Sequence, residues 1–147
     1  MDTSAPSGDA AELRGKVLYI EDAAINAELM RAMLDAYPGI ELIHAANGRD
    51  GVRLVRERKP GFVILDMNLP DISGLEVVRQ LSEDIAAHGL RVTILTVDTL
   101  SMDIIKAMSL GAFEYWTKPV SAAVLESGLR RALTGRRPHP DRHLPRR

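Results

Sequence analysis

Four short apolar runs, at 17–20, 62–65 and 92–95 and around Tyr115 and Trp116, each lead within a few residues to a polar side chain able to do chemistry. In order these are Glu21 with Asp22, then Asp66, Thr96 and Lys118. If the runs are strands of one open parallel sheet, their carboxyl ends share an edge, and ligands bind along that edge where the strand order switches. Three carboxylates gathered there repel one another unless a divalent cation or the lysine neutralises them. Oxygen-only ligands suit a hard cation such as Mg2+, which keeps several waters and takes one or two carboxylates plus phosphate oxygens. Thr96 then supplies a hydrogen-bond donor and Lys118 a positive charge, the equipment that stabilises a phosphoryl group in transfer. A carboxylate can itself be the nucleophile, giving an aspartyl phosphate. Alone, an Asp after an apolar strand is ordinarily a cap or turn residue, so the case for Asp66 rests on the company it keeps.

The elements that would position these groups are legible in the apolar pattern. Runs so short and uniformly apolar suit strands buried on both faces, and Leu42 with Ile43 supplies one more. Between the strands lie residues spaced three or four apart: Ile25, Leu29, Met33, then Val52 and Val55, then Leu75, Val78, Leu81, Ile85, then Ile104, Ile105, Met108, and finally Leu125, Leu129, Ala132. Each set is read as the buried stripe of a helix. Strand and helix alternate five times, which predicts an α/β domain, doubly wound, with a five-stranded parallel sheet and five helices on its two faces. Pro38–Gly39, Pro60–Gly61 and Gly89 close the first three helices.

Composition narrows the function classes. At 147 residues the chain holds one domain. Apolar residues are 46% and charged residues 27%, an ordinary globular balance, and a net charge of −1 supplies no overall field toward nucleic acid or membranes, so DNA binding is not expected. There is no cysteine, which excludes disulfides and thiol catalysis and accords with a cytoplasmic location. No apolar run approaches a membrane span. Residues 1–13 read as a flexible leader, 14–134 as the domain, and 135–147, with five arginines and three prolines, as a basic disordered tail. The tail is read as solubilising, with a polyanion contact as its sharper alternative. His44 and His88 lack a metal-like partner at suitable spacing and are read as ordinary polar positions.

The motifs then resemble one family. VLYI followed by Glu21–Asp22, LDMNLPDISGLEVV around Asp66, ILT ending at Thr96 and GAFEYWTKP ending at Pro119 are similar, in order and spacing, to the receiver domains of two-component response regulators. The resemblance implies a flavodoxin-like strand order 2-1-3-4-5. It implies that Asp66 accepts a phosphoryl group from a histidine kinase or phosphotransfer protein. Asp22, Asp66 and the backbone carbonyl of Asn68 would ligate Mg2+, with Glu21 acting mainly through metal-bound water. Thr96 would move to the phosphate, Lys118 would pair with it, and Tyr115 would be the aromatic switch. The bond before Pro119 would be cis and would aim the lysine. Output would pass through the face of helix 4, strand 5 and helix 5, by Ile104, Ile105, Tyr115 and residues around Val120, to a downstream protein or to a second copy in a homodimer. The chain would not be an enzyme of the usual kind, but would catalyse its own phosphorylation from a phosphodonor and its own dephosphorylation. Tyr115 read plainly is a half-buried edge aromatic, and Trp116 a packing residue.

Four positions depart from, or tune, the pattern. Glu21 stands where Asp is commoner. Val97 stands where the family has Ala or Gly, which predicts slower or more selective use of phosphodonors. Asn68 and Asp98 occupy the positions that set autodephosphorylation, and a polar and an acidic residue there predict a short-lived phosphoryl group. Two rivals are a receiver-like binding module that works unphosphorylated and a phosphatase of the haloacid-dehalogenase type. The intact acid, Thr and Lys set speaks against the first; Asn68, where the second needs an Asp, speaks against the other.

Overall fold

A computed structural model of the chain describes residues 13–97 and 101–134. Its strands are β1 (Gly15–Ile20), β2 (Ile40–Ala45), β3 (Phe62–Asp66), β4 (Arg91–Thr96) and β5 (Glu114–Thr117), all parallel, in the order β2-β1-β3-β4-β5. The helices are α1 (Ala24–Leu34), α2 (Gly48–Arg58), α3 (Gly74–His88), α4 (Met102–Ser109) and α5 (Ala122–Leu129), the last running into a π-helical turn, Arg130–Thr134. This is the doubly wound arrangement the sequence pattern predicts, with the strand order that the family resemblance implies. Asp98, the leader up to residue 12 and the tail from residue 135 lie outside the described residues.

Successive strand residues serve different cores, which is why the runs are apolar throughout. Leu18, Ile20, Val63, Leu65, Val92 and Ile94 face α2, α3 and α4, whereas Val17, Tyr19, Phe62, Ile64, Leu95 and Trp116 face α1 and α5. Each fully buried Leu, Ile, Val or Phe among them contributes about 1.5–3 kcal/mol. Asn47, Ser73, Ser101 and Ser121 cap α2 to α5 by accepting the N–H three residues on. Gly89 ends α3 in the left-handed conformation, φ 69°, but Lys59 does so for α2, φ 51°, where the sequence offered Gly61.

Two helical stripes are corrected. Ile25 and Leu29 on α1 are 65% and 56% exposed, while Ala27, Met30 and Leu34 face the core. The helix is apolar on most sides, so two stripes of the same period compete, and packing in one core with Val17, Tyr19, Phe62 and Ile64 selects the second. On α4, Ile104 is buried (1%) and Ile105 is exposed. Neighbours on a helix point about 100° apart, so they cannot both face the sheet. Ile104 is thereby removed from the surface proposed for partner contact.

The far end of α5 is tied to β5 by charge. Glu114 accepts from Arg131 Nη2 at 2.8 Å and from Trp116 Nε1 at 2.9 Å. The Arg131 guanidinium first, and the indole N–H after it, hold the Glu114 carboxyl below its ordinary value of 4.5, against the opposing effect of partial burial. A carboxyl lowered in the folded state stabilises above the unfolded value and loses that stabilisation as pH falls through the folded one. Glu114→Gln keeps an acceptor for Trp116 but loses the charge. Thermal melts should show a loss of about 1 kcal/mol near neutrality, already discounted for solvent screening. That gap should close below the ordinary value of 4.5; a gap unchanged with pH would remove the ion pair from the account.

Candidate functional site

All the strand-end residues singled out in the sequence meet at the carboxyl edge of the sheet, because parallel strands in register deliver their last residues side by side. Asp66 ends β3 and is 2% exposed; its Oδ1 accepts from Lys118 Nζ at 3.0 Å and from the backbone N–H of Asn68 at 3.1 Å. Glu21 follows β1 and is 1% exposed, with Oε1 4.0 Å from the same ammonium. Asp22 is exposed beside it, so the site is a rim with a buried floor. Thr96, the last residue of β4, is buried, and its carbonyl accepts the Lys118 N–H at 2.8 Å. The Lys118–Pro119 peptide is cis.

Carboxylate oxygens of Glu21, Asp22 and Asp66 lie within 4.8 Å of one another, the one such group among the described residues. Three carboxylates against one ammonium leave a formal charge of −2, which favours a divalent cation. The donor set is oxygen alone and partly open to solvent, so it fits Mg2+ with retained waters.

Other predicted positions are placed further out. Val97 is 65% exposed and, with Leu29, Met33, Lys118 and Pro119, lines a cavity of about 530 Å³ on the α1 side of the site. Tyr115 is 38% exposed on β5, and Trp116 is buried against Phe62, ring centroids 6.1 Å apart. Asn68 is exposed, with its backbone beside the acceptor.

Three polar contacts were not legible in the sequence, two of them made to Glu21. The Tyr19 hydroxyl donates to Glu21 Oε1 at 3.1 Å, and burial first, then the Glu21 charge, push that phenol well above its usual range, so it remains a donor. His44 Nε2 lies 2.7 Å from the Glu21 carbonyl. Asp71 accepts the N–H groups of Gly48 and Arg49 at 2.8 and 2.9 Å, closing the amino end of α2. Burial opposes ionisation of Asp71, but these backbone donors outweigh it and hold the carboxyl below the ordinary range. The register of Tyr19 with His44 links those two, but nothing in a linear reading announces it.

Topology and site together define a flavodoxin-like receiver fold with an acidic, lysine-bearing pocket at its carboxyl edge. The sequence matches the response regulator receiver domain over residues 17–130. It is 32% identical to protein PilH of Pseudomonas aeruginosa over 120 residues, 82% of this chain and 98% of that one. The fold is similar to the chemotaxis protein CheY4 of Vibrio cholerae, with TM-score 0.71, 26% identity and coverage of 82% of this chain and 99% of that. It is similar also to the receiver domain of Ssk1 from Saccharomyces cerevisiae, solved together with the histidine phosphotransfer protein Ypd1, with TM-score 0.73, 26% identity and coverage of 82% and 90%. The chain belongs to the response regulator receiver family. No described helix is long and apolar enough to cross a membrane.

Proposed function

We propose that this receiver is a Mg2+-dependent phosphorylation switch of the cytoplasm that takes its phosphoryl group on Asp66 from a histidine kinase or phosphotransfer protein. The observation that carries this is the buried Asp66 carboxylate held 3.0 Å from Lys118 Nζ, with Glu21 and Asp22 alongside. A carboxylate oxygen attacks phosphorus as the P–N bond of a phosphohistidine breaks. The imidazole nitrogen keeps the electron pair and takes up a proton. Hydrolysis reverses the state when water attacks phosphorus, returning the carboxylate and inorganic phosphate. Bound at Glu21, Asp22, Asp66 and the Asn68 carbonyl, Mg2+ would neutralise charge developing on the transferred group. Lys118, whose ammonium is 3.0 Å from Asp66 Oδ1, would add its positive charge there, and Thr96 would donate its hydroxyl to a phosphate oxygen.

The phosphodonor's docking ground is the apolar surface beside the site, where Leu29 and Val97 are exposed and line one cavity with Lys118, and Ile25 is exposed one turn earlier on α1. The partner named for the Ssk1 receiver, a histidine phosphotransfer protein, is of the class proposed for this chain. Output passes through Ile105, Tyr115 and Val124, exposed on α4, β5 and α5, with Tyr115 turning inward as Thr96 engages. The same face would serve a downstream protein or a homodimer.

Intact mass after incubation with phosphoramidate and Mg2+ tests the proposal: wild type should gain one phosphoryl group, and Asp66→Asn none. No adduct on the wild type, or one that persists in Asp66→Asn, would overturn it. Val97 lines the same cavity as Lys118, so Val97→Ala should speed phosphorylation by small donors several-fold in the same assay. An unchanged rate would separate Val97 from donor access. Asn68 and Asp98 are assigned the tuning of phosphoryl lifetime.

A further inference from the structure

Glu21 is held by more than its place in the chain. Both its oxygens are engaged by donors of the protein itself: Oε1 by the Tyr19 hydroxyl at 3.1 Å and Oε2 by the Ala23 N–H at 3.0 Å. Tyr19 is 3% exposed, its ring packed in the core between the sheet, α1 and α5, so the hydroxyl has little freedom to turn elsewhere. Glutamate carries one more rotatable bond than aspartate and loses more freedom when fixed. Fixing it also decides where Lys118 goes. The ammonium is 3.0 Å from Asp66 and 4.0 Å from Glu21, so it is shared unequally between two buried carboxylates. Without another donor, Glu21 would draw it away, since a buried carboxylate with an unsatisfied oxygen is costly.

We propose that Tyr19 is a positioning residue for the acidic site: its hydroxyl, set against Glu21 Oε1, holds that carboxylate in place for a divalent cation and leaves Lys118 to Asp66. This rests on the assignment of Glu21, Asp22 and Asp66 as a Mg2+ site. Tyr19 never touches the reacting atoms; it acts through Glu21. Its ring does the packing and its hydroxyl the positioning, so the two roles separate in Tyr19→Phe.

Isothermal titration calorimetry with Mg2+ on the full chain, without any phosphodonor, reads the effect directly. Tyr19→Phe should weaken Mg2+ binding about three- to ten-fold, the scale of one side chain that must be immobilised on binding. The weakening should vanish in a Glu21→Asp background, whose shorter side chain falls short of the hydroxyl, and that double-mutant cycle distinguishes action through Glu21 from a general loosening of the core. Melting without Mg2+ confirms that each variant folds. Should Tyr19→Phe not fold, Tyr19→Met, which also fills the core without a hydroxyl, must show the same loss. Equal or tighter binding in Tyr19→Phe, or the same loss in the Glu21→Asp background, overturns the proposal. A wild type that takes no Mg2+ overturns the metal assignment itself and this inference with it, a result distinct from a wild type that binds and a variant that binds equally.

Discussion

Lys118→Ala is expected to slow formation of the phosphoryl adduct on Asp66 by about 10²–10³-fold, the usual cost of losing one group aimed at charge developing in a transition state. The lysine is the one cation within 4.0 Å of the buried carboxylates Asp66 and Glu21 among the described ion pairs, and its side chain is only 23% exposed, so water replaces it poorly. The same substitution should leave Mg2+ affinity intact or raise it, because the site goes from a formal charge of −2 to −3 while all three carboxylates remain. Opposite movements on two readouts separate a loss of phosphoryl stabilisation from a loss of fold, which would depress both. Initial rates from phosphoramidate, followed by intact mass, and Mg2+ titration of the same sample measure the pair. Adduct formation within a few-fold of wild type would dismiss the lysine from the transfer step.

Phe62→Ala should be the most damaging change to stability. Phe62 opens β3, is fully buried, and meets the Trp116 ring edge-on at a 63° interplanar angle. Both flanking strands pair with it, at Val17 and Arg91, so the surroundings have little room to collapse into the space it leaves. Losing a buried phenylalanine costs about 3–5 kcal/mol in transfer and cavity terms. For a domain of this size that lowers Tm by roughly 10–20 °C. Trp116 is the only tryptophan, so its emission should shift to the red as water reaches the gap. A Tm within a few degrees of wild type would mean that Trp116 and α5 close over the site. Gly128 is what lets them approach: it lies against the Trp116 ring with no room for a Cβ.

Much of the candidate site was legible in the sequence because a parallel sheet converts sequence order into spatial order. Glu21, Asp66 and Thr96 sit at strand ends, and strands in register bring those ends to one edge whatever lies between them in the chain. Lys118 could be assigned to the same edge for the same reason, though not its choice of Asp66 over Glu21. Strands buried on both faces announce themselves as apolar runs, so the five strands stood out more plainly than the faces of the helices. On α1, Ile25 with Leu29 and Ala27 with Met30 and Leu34 obey the same period, and the pattern is symmetric between them. Ile104 and Ile105 posed the same choice on α4.

The sequence by itself determined the alternation of strands and helices, the edge on which chemistry collects and the residue types that collect there, since these follow from apolar period and from the shared direction of parallel strands. Only the tertiary structure decided which stripe of α1 is buried, that Ile104 faces inward, that Tyr19 and His44 meet Glu21, and that Asp71 closes the amino end of α2. Those outcomes depend on contacts across strands and loops: Tyr19 looks like one more residue of an apolar strand until its hydroxyl is seen on Glu21, and His44 and Asp71 reach partners 23 residues away. A local pattern records how a residue can face, while the neighbour it meets is chosen by the packing of the whole chain.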